Sequence, residues 1–193
     1  LRHGHKTPFF LTVSFMNPHN VCQLARGEAL PDGAIGKAPD ALEMLPPLPS
    51  NFAIPEHEPS VLREVQRKLP EIYPTQNWGE LQWRQYLWGY YRLVEKVDAE
   101  IGRVLEALQE SAWADDTIVL FTSDHGEGIA IHHWNQKQAL YDPCTKVPLL
   151  MAGPGIAVAR YVSGAGRGHP GGRPRPHPAA AKGRKARRAD RAT

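Results

Sequence analysis

The sequence predicts an α/β protein with a mostly parallel sheet flanked by helices. Apolar, β-favouring segments near residues 9–15, 117–122 and 147–152 are expected to form the strands of this sheet, and the four apolar residues 118–121 predict that the second of them is buried. Between residues 81 and 111, apolar residues recur at three- and four-residue steps, which predicts a long helix with one face on the sheet. The order strand, helix, strand with these lengths is typical of an α/β sandwich.

The remaining elements follow from breakers and caps along the chain. Pro18 ends the first predicted strand and places His19 on the loop just beyond it. Residues 27–59 are rich in proline and glycine and predict a long irregular surface segment. Ser60 is the expected N-cap of a short helix that continues to Leu69, because a proline follows there.

Charge divides the chain into a body, residues 1–159, and a tail, residues 160–193. The tail holds ten of the 23 Lys and Arg residues and one acidic residue, so its net charge is +9. The body keeps 13 basic and 19 acidic residues, a net charge of −6, and is long enough to bury a sizeable core. The tail has little apolar content beyond alanine, so we expect it to be disordered.

Two origins of the basic tail remain open from sequence. Arg, Gly, Pro and Ala in this mixture are typical of a GC-rich sequence read in another frame, and we favour a frameshifted gene end. The alternative is a genuine basic arm that binds nucleic acid through phosphate contacts. No aromatic residue accompanies the basic run 182–191, so stacking on bases is not available and nucleic acid is not the favoured partner.

Cysteine content and hydropathy restrict the class of protein further. Two widely separated cysteines, Cys22 and Cys144, give no disulfide framework, although a pair between them is left open. No apolar run approaches the roughly 18 residues of a membrane span. The sequence shows no signal peptide, and the compartment is not identified from composition.

Polar residues that can bind ligands follow the strand predicted at 117–122. Asp124, His125 and Gly126 come directly after its last residues, and Lys137 lies twelve positions beyond the histidine. In open α/β sheets, ligands bind beyond the carboxyl ends of the strands. The Asp–His pair can offer an oxygen and a nitrogen to a cation, and Lys137 can bring positive charge to an anion held by that cation.

Several of these segments resemble one family. Residues 121–127, Phe-Thr-Ser-Asp-His-Gly-Glu, resemble the second metal-binding strand of the type I sulfatases, which belong to the alkaline phosphatase superfamily. Residues 8–19 are similar to the family segment that begins Pro-Phe-Phe and ends Pro-His. Lys137, four residues before Tyr141, resembles the family's sulfate-binding lysine, and residues 147–155 resemble the strand and turn that follow. The motifs occur in the family's order, which makes their combination specific.

The resemblance implies hydrolysis of a sulfate ester or sulfamate in a sulfated small molecule or glycan. It implies that Asp124 and His125 bind Ca²⁺, and that Lys137 and His19 contact the sulfate and the leaving oxygen. The family nucleophile is a formylglycine, made from a cysteine or serine by a formylglycine-generating enzyme. A secreted or periplasmic location is also expected from the family.

The chain departs from the family pattern at the nucleophile. The signature Cys/Ser-x-Pro-Ser/Ala-x-Arg, the paired aspartates and the Gly-Lys-x-His segment have no counterpart here. Cys22 has an arginine four residues later, but Leu24 and Ala25 occupy the positions of proline and serine, so we expect Cys22 to be a small buried hydrophobe. Because the sequence begins with Leu1 and lacks these groups, we expect the middle-to-late part of a longer catalytic domain, inactive by itself.

Two alternatives come from other classes of function. A phosphodiesterase or phosphonate hydrolase of the same superfamily would use a similar metal and anion site. A non-enzymatic binding protein would use the basic tail. Among the other histidines, one of His132 and His133 is a candidate for lining the substrate pocket, and the rest are expected at the surface: His3, His5, His57, His169 and His177.

Overall fold

The computed structural model of the protein describes residues 7–157. The disorder predicted for the tail, residues 160–193, lies outside the described residues. Three short 3₁₀ turns join the regular elements: Leu42–Met44, Pro74–Asn77 and Ile131–His133. The helices and strands are, in chain order, α1 (Val21–Ala25), α2 (Ser60–Lys68), α3 (Glu80–Gln109), β1 (Val119–Thr122), α4 (Asp142–Thr145) and β2 (Leu149–Ala152).

Both predicted helices are confirmed, the short one expected from a cap and a proline and the long one from periodicity. The short helix forms as α2, although Ser60 is its first helical residue and Pro59, which offers no side-chain cap, precedes it. The long helix forms as α3, and the backbone N–H of Gly79 just before it donates to Gln82 Oε1 at 3.0 Å. In the part of the chain described, no helix is both long and apolar enough to cross a membrane.

The core lies at the amino-terminal half of α3, which packs against α1. Gly89 permits this approach, because a Cβ atom there would lie 2.1 Å from Leu24 Cδ2. The predicted apolar stripe is only partly correct, since Tyr91 is 45% exposed and Leu105 38% exposed. The stripe was expected to pack on a sheet, whereas its buried part meets α1 and the loop that contains Ala130. The buried cluster comprises Val21, Ala25, Trp83, Tyr86, Leu87, Leu93 and Ala130.

The sheet differs from the prediction. β1 and β2 pair in antiparallel orientation, with Val119 opposite Ala152 and Thr122 opposite Leu149. The end of β1 therefore lies beside the start of β2, and the loop over 123–148 reverses the chain between them. A parallel pair would need a crossover to the opposite end of the sheet. The mostly parallel sheet is thus not what residues 7–157 form.

The first predicted strand, near residues 9–15, is not present as a strand in the described range. Its apolar side chains are exposed, with Phe10 at 95% and Leu11 at 58%. The strands that do form are exposed as well, with Leu120 at 55% and Leu150 at 62% exposure. A strand is buried on both faces only when layers cover both faces. Within residues 7–157 these strands lack such cover, and the expected burial of β1 is wrong for this part of the chain.

Candidate active site

The loop after β1 holds Asp124 and His125 close together. Asp124 Oδ2 lies 3.6 Å from His125 Nε2, and Asp124 Oδ1 accepts a 2.9 Å hydrogen bond from the backbone N–H of His125. That backbone bond stabilises the charged carboxylate and lowers the pKa of Asp124. The Ser123 hydroxyl donates to the His125 carbonyl at 2.8 Å and holds the turn. Asp124 is therefore an ionised carboxylate whose side chain is 84% exposed and free to meet a ligand.

The hydrogen bonds of His125 assign its tautomer. Its Nδ1 lies 2.8 Å from the carbonyl oxygen of Gly126, and a carbonyl can only accept. Nδ1 therefore carries the proton. In the neutral ring, Nε2 keeps its lone pair on the side of Asp124 Oδ2. An oxygen donor and a nitrogen donor thus face each other at the open end of β1, which is the arrangement a cation needs from two of its ligands.

Gly126 is required after this pair by close backbone packing. A Cβ atom at Gly126 would lie 1.8 Å from the carbonyl oxygen of Pro143, so any side chain there would force the backbone to shift. The approach is fixed by two backbone hydrogen bonds, from Gly126 N–H to Cys144 O at 2.8 Å and from Glu127 N–H to Pro143 O at 3.1 Å. The loop that bears Asp124 and His125 is therefore attached to α4.

His19 lies in the turn that leads into α1, where its backbone N–H donates to Met16 O at 3.0 Å. Its ring centroid is 6.4 Å from that of His125. Burial lowers the pKa of His19, and the nearby charge of Lys137 lowers it further. Asp124 acts in the opposite direction, but the pKa stays below the ordinary value. His19 is therefore neutral at pH 7.

Lys137 completes the group. Its Nζ lies 2.8 Å from His19 Nδ1, and because an ammonium only donates, Nδ1 of His19 accepts and Nε2 carries the proton. The chain just before it is anchored by Asn135, which is fully buried. Asn135 accepts from the Thr75 hydroxyl at 3.0 Å and donates to Ile72 O at 3.3 Å. The structure thus brings His19, Asp124, His125 and Lys137 together from three separate segments.

Glu127 is a site neighbour that the sequence analysis treated only as part of a motif. It is 8% exposed and accepts a 3.1 Å hydrogen bond from the hydroxyl of Tyr86 on α3. Burial raises its pKa, while the Tyr86 hydroxyl, the backbone N–H of Gln136 and the charge of Lys137 all oppose this effect. The two residues lie 41 positions apart, and no local pattern in the sequence joins them.

His132 and His133 face the irregular segment that precedes α2. His132 Nδ1 lies 2.7 Å from Ala53 O, and its ring centroid is 4.7 Å from that of Tyr141. The His133 ring stacks on Phe52 with centroids 4.2 Å apart, and burial lowers its pKa. These contacts are structural, and a pocket-lining role for either histidine stays a prediction.

The cysteines have the features of core residues. Both are buried and free, so the pair that the sequence left open is not formed. Cys22 Sγ donates to Gln23 Oε1 at 3.0 Å. Burial raises the pKa of Cys144 to about 11, which keeps it a thiol.

The described part of the chain offers a metal ion at most two neighbouring His, Cys, Asp or Glu side chains. Residues 7–157 contain no cluster of three or more His, Cys, Asp and Glu side chains placed to hold an ion. Asp124 and His125 can therefore form part of a coordination shell, and a Ca²⁺ ion would need further oxygen ligands.

The family model for Sulfatase matches residues 1–167. The chain belongs to the sulfatase family. The resemblance found in its motifs is thereby confirmed.

Named relatives agree with this assignment. The chain is 31% identical over 154 residues to Delta 4,5-hexuronate-2-O-sulfatase of Bacteroides thetaiotaomicron, with 78% of this chain and 31% of the relative covered. It is 32% identical over 153 residues to mouse iduronate 2-sulfatase, with 77% of this chain and 27% of that enzyme covered. Among solved structures, a 2-O GAG sulfatase matches with a TM-score of 0.61 and 32% identity, covering 72% of this chain and 30% of that one.

The chain thus spans less than a third of the length of these relatives. Their α/β fold supports the predicted fold class in its coarse form, while the parallel order of the sheet is unsupported here. The phosphodiesterase and the basic-tailed binding protein gain no support, since these matches are sulfatases. The metal and sulfate roles of the four site residues remain predictions.

Proposed function

We propose that this chain contributes part of the catalytic centre of a sulfuric ester hydrolase. The observation that carries the proposal is the 2.8 Å contact between Lys137 Nζ and His19 Nδ1, which places a cation and a neutral imidazole beside the Asp124–His125 pair. Sulfate esters react by building negative charge on the sulfuryl oxygens and on the leaving oxygen. Donors fixed in advance at those positions lower the barrier, because they need no reorganisation during reaction.

The Lys137 ammonium and the protonated Nε2 of His19 are suited to hold a sulfate monoester. An ammonium hydrogen bond to an anionic oxygen is charge-assisted and about twice as strong as one between neutral groups. His19 stays neutral, so it donates without adding a second full charge beside Lys137. In this proposal Lys137 binds a sulfuryl oxygen, and His19 donates to the leaving oxygen.

Asp124 Oδ2 and His125 Nε2 are the proposed protein ligands of a Ca²⁺ ion. Their fit rests on the assigned tautomer of His125 and on the exposed, ionised Asp124, while the remaining oxygen ligands would come from elsewhere in the catalytic domain. When bound, such an ion would polarise a sulfate oxygen. The chain's own part is to hold these two donors 3.6 Å apart at the end of β1.

The nucleophile proposed for the catalytic domain is a formylglycine, which requires a formylglycine-generating enzyme as partner. Cys22 is unsuited to be its precursor, because it is only 7% exposed and is not followed by the proline of the signature. The residues of this chain would bind and orient the sulfate for attack.

The substrate class we propose is a saccharide sulfated at O2 of a uronic acid. Two of the relatives named above are sulfatases of hexuronate or iduronate at position 2, and the solved relative is a 2-O GAG sulfatase. A secreted or periplasmic location, which the family resemblance implies, is also part of the proposal.

Binding to the purified chain tests the anion site without requiring turnover. Inorganic sulfate and a disaccharide sulfated at O2 of its uronic acid are titrated into the labelled protein, followed by NMR shifts of His19 and Lys137. We expect Lys137→Met to weaken binding by roughly tenfold or more, the value of a charge-assisted hydrogen bond. Lys146→Met is the matched control, because Lys146 is an exposed lysine paired with Asp142. Equal affinity in both variants would refute the proposed sulfate site, and equal affinity for a 6-O-sulfated isomer would refute the substrate class.

A further inference from the structure

The loop that leads to Lys137 is held in an unusual backbone conformation. Within residues 129–136, five residues other than glycine have positive φ: Ile129 at 30°, Ala130 at 68°, His132 at 45°, His133 at 60° and Gln136 at 67°. Branched and bulky residues rarely adopt this region, because Cβ approaches the backbone too closely. Such conformations persist only where surrounding contacts determine them, and they concentrate at functional sites.

Two side chains of α2 supply such contacts. Arg63 Nη2 donates to the carbonyl oxygen of His132 at 2.8 Å, and Gln66 Nε2 donates to that of His133 at 3.0 Å. These two carbonyls belong to consecutive strained residues and lie 69 and 67 positions from their donors. Gln66 is only 5% exposed, so water cannot easily replace its bond. Two side chains of helix α2 therefore hydrogen-bond directly to the backbone of the loop.

The donors are themselves fixed. Arg63 Nη1 donates to Gln66 Oε1 at 2.7 Å, which joins the two side chains. Arg63 also forms an ion pair with Glu58, whose side chain is 3% exposed and also accepts from the Tyr141 hydroxyl. The guanidinium carbon lies 5.4 Å from the ring centroid of Trp134, which extends the contact to the loop itself. Arg63, Gln66 and Glu58 each have at least two polar partners, which restricts the conformations of their side chains.

The end of the loop sets the direction of Lys137. Gln136 O accepts from Gly128 N–H at 2.8 Å, and Ala130 N–H donates to Trp134 O at 2.9 Å, which closes the loop on itself. A closed loop that is held at His132 and His133 restricts the position of the residue that follows Gln136. That residue is Lys137, and its Nζ meets His19 at 2.8 Å.

We propose that Arg63 and Gln66 are positioning residues that hold the strained loop 129–136 and so present Lys137 to His19. The importance of Lys137 for sulfate rests on the proposed function above. The geometric claim does not, because the Lys137–His19 contact can be observed without any ligand.

The test is an NMR measurement on the full 193-residue chain at fixed pH. In the wild type we expect a nuclear Overhauser effect between the ε-methylene of Lys137 and the Hε1 proton of the His19 ring. Gln66→Met keeps the length of the side chain and removes the donor, so we expect this effect to be lost. Gln85→Met is the matched control, since Gln85 Nε2 also donates to a backbone carbonyl, that of Pro39 at 3.0 Å, away from the loop.

Thermal unfolding of each variant establishes that it is folded. If Gln66→Met does not fold, Arg63→Lys takes its place, because lysine keeps the charge beside Glu58 but cannot also reach Gln66 and the carbonyl of His132. An effect that survives in folded Gln66→Met or Arg63→Lys overturns the proposal. Loss of the Overhauser effect in Gln85→Met also overturns it, because the loss would then reflect a general loosening of the fold.

Sulfate affinity provides a second readout. The single variant Gln66→Met should bind inorganic sulfate more weakly than the wild type, by about the same factor as Lys137→Met. In a chain that already carries Lys137→Met, adding Gln66→Met should cause no further loss of sulfate affinity. Additive losses would overturn positioning through Lys137. If Lys137→Met itself leaves the affinity unchanged, the proposed sulfate site fails, while the proton contact still decides the role of Gln66.

Discussion

Lys137 Nζ and His19 Nδ1 lie 2.8 Å apart although the two residues are 118 positions apart in the chain. The contact assigns the donor and acceptor roles of both partners. The lysine donates, the histidine accepts through Nδ1, and the proton of the neutral ring is left on Nε2. A cation next to a histidine also disfavours protonation of the ring, so the pair stays in the form that can donate to an anion at two points.

Removing the lysine charge should make His19 easier to protonate. Burial and then Lys137 lower the pKa of His19 below 6.5, so Lys137→Met should move that pKa upward. Titration of the His19 ring signals by NMR measures the shift, with Lys146→Met as the control. A His19 pKa that stays the same or falls in Lys137→Met would contradict the assigned contact.

The same shift has a consequence for stability. In the native protein His19 binds its proton at lower pH than in the unfolded chain, whose pKa is near 6.5. As pH falls from that value through the native pKa of His19, the unfolded state binds more protons, and this contribution to folding stability is lost. Lys137→Met should bring the native pKa of His19 closer to its unfolded value, so the variant should lose less folding stability as the pH falls. Urea unfolding between pH 7 and pH 5 measures the difference.

Gly126→Ala should damage the site loop. Its Cβ would lie 1.8 Å from Pro143 O, so the loop or α4 must shift, which typically costs about 1–3 kcal/mol. Gly102→Ala on α3 is the matched control, because a Cβ there meets no atom within 4 Å and alanine favours a helix by about 0.5–1 kcal/mol. Urea unfolding should therefore move in opposite directions for the two variants. Equal stability of both would show that the close packing of Gly126 is not rigid.

Tyr86→Phe should destabilise the protein by about 1–3 kcal/mol, because it leaves the buried Glu127 without its hydroxyl donor. It should also raise the pKa of Glu127 further, since that hydroxyl lowers it. A carboxyl whose native pKa is raised favours folding when protonated. Its contribution is complete below the ordinary value of 4.5 and is lost as pH rises through the native pKa of Glu127.

The loss in Tyr86→Phe should therefore be smaller near pH 4 than near pH 7. Tyr91→Phe is the control, because Tyr91 is 45% exposed. If the loss of folding stability in Tyr86→Phe were the same at pH 4 and pH 7, the Tyr86 hydroxyl would not be lowering the pKa of Glu127.

Sequence alone was sufficient for the helices α2 and α3 but not for the short helices α1 and α4, and it named the four residues that the structure brings together, whose roles stay predictions. Long apolar periodicity over 81–111 specifies a helix whatever surrounds it, and α3 forms at Glu80–Gln109. The placement of Asp124 and His125 follows from the end of β1. The contact between His19 and Lys137 could be anticipated only from the family resemblance, since no local pattern joins positions 118 residues apart.

Sheet order and loop strain could not be predicted. Whether two strands pair in parallel or antiparallel orientation depends on which strand edges lie side by side. The apolar residues of a strand, such as Leu120, are the same in both orientations, so they do not predict the orientation. Positive φ is usually marked by glycine, whereas His132 and His133 adopt it where Arg63 and Gln66 of α2 donate to their carbonyl oxygens. Burial of β1 was likewise inferred from its composition, but burial is a property of the layers around a strand.

The purified 193-residue chain, with calcium present, is expected not to hydrolyse 4-nitrophenyl sulfate. Asp124 provides one carboxylate, whereas calcium takes about six to eight oxygen ligands, and residues 7–157 hold no cluster of three or more ligating side chains. Neither buried thiol is an activated nucleophile, so a sulfate held by Lys137 and His19 has no covalent route, and positioning alone leaves most of the barrier. We therefore expect 4-nitrophenol release at the uncatalysed rate, both for this chain and for Lys137→Ala, and no tight calcium binding by calorimetry. Turnover that falls in Lys137→Ala would contradict this expectation and would make Cys22 or a hydroxyl of the chain the candidate nucleophile.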